Sequence, residues 1–175
     1  MESKRQKLVV EPSATVLVVL VGLPGSGKST LCSKLVESAP AATVLSQDLL
    51  GKAKCEKQCR ELLLSSLEEP RVIVVDRTNL SPKQRATWLD MVAKHCPSAK
   101  VLGVEFTLDQ ATCVERAKSR EDHPTLSPNK VAMVVKRLQA QYEAVDQQSE
   151  AFDHLLSGSD SSELCESILD YLRAN

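Results

Sequence analysis

Apolar and polar positions follow two different periods along this chain. Residues 15–21 (TVLVVLV) and 71–75 (RVIVV) are almost continuous runs of apolar, mostly β-branched side chains. Such runs are typical of parallel strands that are buried on both faces. In other segments, such as 130–145, apolar residues recur every three or four positions, which indicates helices with one buried face. The two patterns alternate along the sequence.

This alternation gives a full set of predicted elements. Strands are predicted over about 15–21, 43–45, 71–75, 101–106 and 152–156. Helices are predicted over about 29–38, 52–67, 82–95, 110–119, 130–145 and 162–172. Strands that alternate with helices are typical of a parallel sheet with right-handed crossovers. We therefore expect one α/β domain over 15–175, with a sheet of about five strands flanked by helices, after a flexible tail over 1–14.

The composition fits this fold and excludes several classes of protein. Apolar residues make up 42% of the 175 residues and aromatic residues only 3%, so the core should consist mainly of Val, Leu, Ala and Ile. The net charge of −1 argues against a large basic surface for duplex DNA, although a local basic groove stays possible. The six cysteines form no C-x-x-C pair, which favours buried thiols over zinc ligands or disulfides. No signal peptide or run of about 18 apolar residues is present, so we expect an intracellular protein, cytoplasmic or nuclear, without a membrane partner.

The stretch GLPGSGKS, residues 22–29, matches the phosphate-binding pattern G-x-x-x-x-G-K-[ST] at every fixed position. It lies between a predicted buried strand and a helix, where backbone N–H groups and the helix N-terminus can surround phosphates. Lys28 should reach the β- and γ-phosphates of ATP, and Ser29 should bind Mg²⁺. Nucleotide contacts are expected from Gly22, Leu23, Pro24, Gly25, Ser26, Gly27, Lys28, Ser29 and Thr30. The sequence lacks a guanine-reading [NT]-K-x-D motif and an arginine-finger pattern, which favours a small kinase of the P-loop NTPase fold.

Polar residues follow the second and third predicted strands, at the sheet edge where the phosphate loop also lies. Asp48 can accept the proton of an acceptor hydroxyl, or it can simply cap the next helix. Asp76 closes an apolar strand, as the Mg²⁺-side acid of a P-loop enzyme does. Thr78 and Asn79 are candidate substrate contacts; the alternative is a strand-end turn.

Arginines are spaced four apart at the end of the helix predicted over 110–119. Arg116 and Arg120 share one helix face and can clamp a phosphoryl group, so the following Pro-containing loop would be a lid. His123, in that loop, is a candidate contact to nucleotide or substrate. The alternative is a solvated basic face near a helix C-terminus.

Together, GLPGSGKST, S-Q-D, D-R-T-N and R-x-K-x-R resemble the kinase domain of the polynucleotide 5′-hydroxyl kinases, which belong to a wider group of small P-loop kinases. The resemblance runs from about residue 16 to 156. It implies transfer of the γ-phosphate of ATP to a 5′-hydroxyl of single-stranded DNA or RNA, with ATP and Mg²⁺ as cofactors. The roles implied are phosphate and metal binding by Lys28 and Ser29, general base catalysis by Asp48, metal-side placement of Asp76, and lid contacts to the donor phosphates by Arg116 and Arg120.

The sequence departs from this family at one position. The best-known members carry an arginine three residues after the catalytic aspartate, which holds the 3′-phosphate of the acceptor, and here that residue is Gly51. Lys52 and Lys54 are candidate replacements, but as point charges without a bidentate fork. Two alternatives therefore stay open: a small-metabolite or nucleoside kinase on the same fold, and a nucleotide-binding interaction module with weak catalysis.

Local charge between residues 116 and 137 distinguishes between these alternatives. This stretch has six Lys or Arg residues against two acids. If the basic side chains line one groove, a nucleic-acid strand is the expected ligand. If they are scattered around the helices, the metabolite alternative gains support.

Overall fold

The parallel sheet that the apolar runs predict is present in the computed structural model, which describes residues 13–119 and 130–175. Its strands are β1 (Val16–Val21), β2 (Ala42–Ser46), β3 (Val72–Asp76), β4 (Lys100–Phe106) and β5 (His154–Gly158). All four pairings are parallel, and the order across the sheet is β2-β3-β1-β4-β5. The central strand β1 is fully buried along its length.

Helices cover both faces of the sheet, as predicted. In the described ranges they are α1 (Lys28–Ser38), α2 (Gln47–Leu50), α3 (Lys52–Ser65), α4 (Pro82–His95), α5 (Gln110–Lys118), α6 (Val131–Gln139) and α7 (Ser161–Ala174). Alternate residues of β1 divide between two cores, because successive side chains of a strand point to opposite faces. Val18 and its neighbours pack with α1 and α7, whereas Leu17 and Val19 pack with α3 and α4. No helix in the described part of the chain has the length and apolar content that a membrane crossing requires.

A third, smaller core joins α5 and α6 beyond the carboxyl ends of the strands. It includes Leu23, from the loop after β1, and Leu80, from the loop after β3. This core therefore fixes the position of α6 relative to both of these loops.

The helix predicted over 130–145 ends at Gln139, because tertiary hydrogen bonds take the chain off the helix axis. The Tyr142 hydroxyl donates to the buried Glu105 carboxylate at 2.6 Å, and Val145 N donates to the same oxygen at 3.0 Å. Glu143 N donates to Leu80 O at 2.8 Å. Helical spacing of the apolar residues could not reveal these contacts with distant parts of the chain.

The last strand is displaced by two residues from the prediction of 152–156. Phe152 is buried in the core below the sheet, and Asp153 pairs with Val101: Val101 N donates to the Asp153 carboxylate at 2.7 Å. The ladder with β4 therefore begins at His154, which is paired with Leu102.

A buried ion pair holds the segment after α6 against α4. The Arg85 guanidinium, fully buried, donates to both carboxylate oxygens of Glu150, at 2.7 and 2.8 Å. The same guanidinium donates to Asn79 O at 3.1 Å and Glu143 O at 3.0 Å. One side chain therefore connects α4, the loop after β3 and the segment 143–150.

Replacing Glu150 by Gln should lower the free energy of unfolding by about 3 kcal/mol, because the substitution leaves the Arg85 charge buried without its counter-ion. Urea denaturation measures this change. The control is Asp170→Asn, since Asp170 forms an exposed pair with Arg173 and its loss should cost less than about 0.5 kcal/mol. Equal, small losses in the two variants would contradict a structural role for the buried pair.

The contribution of Glu150 should also depend on pH. Burial raises the pKa of Glu150, but hydrogen bonds from Arg85 and from the Asp146 backbone, together with the Arg85 charge, outweigh burial and hold the pKa below its ordinary 4.5. A carboxyl whose pKa is lower in the folded state stabilises the fold above its unfolded-state pKa and loses that effect as pH falls through the folded-state pKa. The stability difference between the wild type and Glu150→Gln should therefore shrink below about pH 4.5.

Candidate active site

The phosphate loop connects the buried end of β1 to the N-terminus of α1. Gly25 has φ +84°, and a Cβ at this position would lie 2.2 Å from Cys113 O in α5, so the loop can pass α5 only with glycine here. The helix begins after Gly27 without a side-chain cap. Its first-turn N–H groups have no partners within the helix, and such groups form an anion site.

Lys28 extends across this loop. Its side chain is buried, and Nζ donates to Gly22 O at 2.8 Å, Leu23 O at 2.7 Å and Ser26 Oγ at 3.3 Å. The ammonium charge is thus held inside the turn of the loop, where a phosphate chain would be surrounded.

The loop after β3 is joined to the phosphate loop by hydrogen bonds. Gly22 N donates to Thr78 O at 2.9 Å, and Asn79 Nδ2 donates to Leu20 O at 2.8 Å. Trp88 Nε1 donates to Asn79 Oδ1 at 2.9 Å. Asn79 is fully buried and has φ +45°, a left-handed conformation that asparagine adopts more readily than most residues. Its side chain therefore positions the two loops; it faces the interior and is not among the residues that line the cavity described below.

Eight predicted site residues line one cavity of about 290 Å³ between the phosphate loop and α6, which we call the front cavity. They are Pro24, Gly25, Gly27, Lys28, Ser29, Asp48, Asp76 and Thr78. Asp48 reaches the cavity from α2, a single helical turn directly after β2 that the sequence reading did not include. Carboxylates, a hydroxyl and an ammonium thus share one space at the carboxyl ends of three adjacent strands.

Gly51 ends α2 in a conformation that favours glycine, with φ 77° and ψ 159°. An added Cβ would meet no atom within 4 Å, so backbone strain and not space determines the residue at this position. The neighbouring Lys52 is exposed and lies 4.0 Å from Glu56. It does not line the front cavity, so the structure does not support Lys52 as a replacement for the missing arginine.

Three polar residues of the front cavity were missed by sequence reasoning: Gln47, Arg77 and Arg137. Gln47 Oε1 is buried without a hydrogen-bond partner among the described residues. Burial lowers the pKa of Arg77, although Glu56 and Cys55 partly offset this effect. Gln47 lies inside the S-Q-D motif and Arg77 inside the D-R-T-N motif, so the sequence held a signal for both. Arg137 lies among the apolar residues of α6, outside any motif.

A second cavity, of about 400 Å³, lies on the other side of the phosphate loop; we call it the rear cavity. It contains the predicted site residues Gly25, Gly27, Thr30 and Arg116, together with the segment 159–162, which leads from β5 into the first turn of α7. Ser161 Oγ donates to Gly27 O at 3.0 Å, which joins this segment to the phosphate loop. Sequence reasoning missed the segment 159–162, although it follows the last strand at the sheet edge where ligands bind.

The basic residues between 116 and 137 do not line one groove, as far as the described residues show. Arg116 lines the rear cavity and Arg137 the front cavity. Lys118, Lys130 and Lys136 are exposed and line neither cavity. The predicted roles of Arg120 and His123, and the lid itself, fall on residues 120–129, which lie outside the described part of the chain.

Gly25→Ala should lower nucleotide affinity at least tenfold, because the added Cβ meets the α5 backbone and displaces the loop. Titration with a fluorescent ADP analogue measures the affinity. The control is Gly51→Ala, which also places alanine at positive φ and should cost about 1–3 kcal/mol of stability but keep nucleotide affinity. Unchanged affinity in Gly25→Ala would contradict the phosphate-binding assignment of this loop.

The chain is similar in sequence to one protein family and to two longer proteins. The AAA_33 family model, described as an AAA domain, matches residues 17–145. The chain is 28% identical over 141 residues to the Arabidopsis thaliana protein "Transcription factor bHLH140", and this match covers 78% of the chain and 15% of that protein. It is 35% identical over 75 residues to a Schizosaccharomyces pombe bifunctional polynucleotide phosphatase/kinase, covering 43% of the chain and 17% of that protein. The chain therefore corresponds to less than a fifth of each of these longer relatives.

Solved structures show the same fold. A fungal RNA kinase superposes with a TM-score of 0.75 and 22% identity, covering 94% of this chain and 88% of that chain. A sugar kinase from Janibacter sp. superposes with a TM-score of 0.66 and 14% identity, covering 91% of this chain and 95% of that chain. At these identities the structural matches show the P-loop kinase fold and carry no information on the acceptor.

Proposed function

Because this chain belongs to the AAA_33 family of P-loop kinase domains, we propose that it transfers the γ-phosphate of ATP to the 5′-hydroxyl of a DNA or RNA strand. The observation that carries the proposal is the front cavity, in which a candidate base, Asp48, shares one space with the phosphate-loop residues Lys28 and Ser29. The relative from S. pombe, which is named as a polynucleotide kinase, supports the choice of acceptor.

The donor set of the phosphate loop fits ATP with Mg²⁺. Uncapped N–H groups at the start of α1 and the buried Lys28 ammonium match the negative charge of a triphosphate. Ser29 and Asp76 supply the oxygen ligands that Mg²⁺ prefers. When bound there, the metal ion would neutralise charge on the phosphate oxygens.

Asp48 is the residue to which we assign proton transfer. Its carboxylate would accept the proton of the acceptor hydroxyl as that oxygen bonds to the γ-phosphorus and the bond from phosphorus to ADP breaks. Lys28 would hold the γ-phosphate and stabilise the charge that develops on it. The position of Asp48 at the start of a short helix leaves its carboxylate exposed towards the cavity.

The rear cavity is the place to which we assign the nucleoside part of ATP. It shares Gly25 and Gly27 with the front cavity, so a nucleotide on the phosphate loop would extend from one cavity into the other. Arg116 lies in the rear cavity and would contact the donor phosphates from α5. Arg120 and His123 would join it from the proposed lid.

A second candidate function is a kinase for a small metabolite or nucleoside. The scatter of the described basic residues over two cavities and outer helix faces favours this alternative, since a bound strand normally needs a continuous basic path. A third is a nucleotide-binding module that transfers phosphate weakly. The experiment on Asp48 distinguishes all three.

Asp48→Asn should reduce γ-phosphate transfer to 5′-OH oligonucleotides by about 10²- to 10⁴-fold, because the amide cannot accept the proton. Radiolabelled ATP and single-stranded DNA and RNA acceptors measure transfer, and nucleotide affinity should stay within about twofold since Asp48 does not touch the donor in this proposal. The matched control is Asp90→Asn, an exposed carboxylate of α4.

Each other outcome has a distinct meaning. Transfer of the radiolabelled phosphate to small metabolites or nucleosides, but to no oligonucleotide, would favour the metabolite or nucleoside kinase. Intact ATP binding with no transfer to any acceptor would favour the third. Full transfer by Asp48→Asn would remove Asp48 as the base.

Arg116→Ala should lower turnover more than tenfold, because arginines that stabilise the transferred phosphoryl group contribute about 10³ or more. Steady-state kinetics with varied ATP measures the effect. Lys118→Ala, which changes an exposed residue of α5 two positions further along and outside the cavity, is the control and should retain normal turnover. Wild-type kinetics in Arg116→Ala would refute the assignment.

A further inference from the structure

Two arginines in the front cavity have no role in the chemistry assigned so far. Arg77 follows Asp76 at the end of β3, and Arg137 is on α6, sixty residues further along the chain. The fold brings both to the same cavity as Asp48. We propose that Arg77 and Arg137 together bind a phosphate group of the acceptor, so that the site selects a phosphate-bearing nucleotide end over a neutral sugar or nucleoside.

Neither guanidinium forms a salt bridge within the described ranges. Arg85, in contrast, has its hydrogen-bonding groups paired: it donates to both carboxylate oxygens of Glu150 and to two backbone carbonyls. Arg77 is partly buried, and the nearby Glu56 carboxylate offsets only part of the cost of burying its charge. The pair is therefore ready for an anionic ligand.

The proposed binding of ATP, Mg²⁺ and the acceptor hydroxyl uses every other charged residue of the front cavity, but not Arg77 or Arg137. Lys28 and Asp76 are engaged by the triphosphate and its metal ion, and Asp48 by the acceptor hydroxyl, under the proposed function on which this inference rests. A neutral acceptor would give two guanidiniums nothing to bind. A phosphate group, in contrast, accepts hydrogen bonds from guanidinium forks in bidentate geometry.

The conformation of Gly51 explains why the anion site would be built from other elements. The backbone there has φ 77° and ψ 159°, where any side chain is strained, so an arginine at this position would destabilise the fold. Lys52 is exposed outside the cavity. Arg77, directly after β3, and Arg137, in α6, each bring a guanidinium to the cavity, whereas the short helix α2 brings none.

The test is equilibrium binding of two matched ligands to the full chain with Mg·ADP present: a nucleoside 3′-phosphate with a free 5′-hydroxyl, and the same nucleoside without the phosphate. The wild type should prefer the phosphorylated ligand at least tenfold. Arg77→Gln and Arg137→Gln should each reduce this preference several-fold, and the double variant should abolish it. Lys136→Gln, an exposed neighbour on α6, should keep it.

Three results would overturn the inference. The wild type could bind both ligands equally, or the double variant could retain the full preference. Alternatively, the variants could lower kcat alike for phosphorylated and unphosphorylated acceptors without affecting binding, in which case the arginines act on the transferred group. If Arg77→Gln does not fold, Arg137→Gln decides, because Arg137 is on an exposed helix surface.

This binding test is separable from the test of the proposed function. Preferential binding that depends on the arginines, with no transfer to the bound ligand, would support the anion site and reject the kinase proposal for that acceptor. Transfer to acceptors with and without a 3′-phosphate at equal kcat/KM would support the kinase proposal and reject the anion site.

Discussion

The complete burial of β1 is the constraint on which the rest of this structure depends. Its six residues are covered by β3 and β4 at the edges and by helices on both faces, so its carboxyl end has one fixed place and direction. The chain must then turn sharply back into α1, and the turn is held by hydrogen bonds from Asn79 to Leu20 and from Gly22 to Thr78. The loops after β1 and β3 are therefore held together as a single rigid unit, and the candidate phosphate site lies at the end of the strand that is buried throughout.

This rigid unit divides the space at the sheet edge into two cavities. Gly25 and Gly27 belong to both cavities, so the phosphate loop is their common wall. The front cavity holds Asp48 and the two arginines, and the rear cavity holds Arg116. In our proposal the acceptor and the donor nucleoside bind on opposite sides of the loop, and the γ-phosphate lies between them. With this division, residues of the front cavity could change to suit another acceptor while the residues that bind ATP stay the same.

Local sequence patterns predicted the parts of this molecule that local physics determines. The buried strands and the phosphate loop follow from residue type and spacing, and Ser81 forms the cap of α4 that a serine before a proline indicates. Local patterns were insufficient where partners distant in sequence decide the outcome. Tyr142 lies outside the helix because its hydroxyl is bonded to Glu105, and the buried position of Asn79 depends on hydrogen bonds with Trp88 and Leu20. Arg137 was missed as a cavity residue for the same reason, since its place depends on how α6 packs.

The most direct test of the central claim is a crystal structure with Mg²⁺, a non-hydrolysable ATP analogue and a dinucleotide that has a free 5′-hydroxyl. Our account predicts that the 5′-oxygen lies within about 3 Å of the Asp48 carboxylate, which is the range that proton transfer requires. The adjacent phosphate should contact Arg77 and Arg137, and the base of ATP should lie in the rear cavity. A dinucleotide bound in the rear cavity, or one whose 5′-oxygen points away from Asp48, would contradict the account.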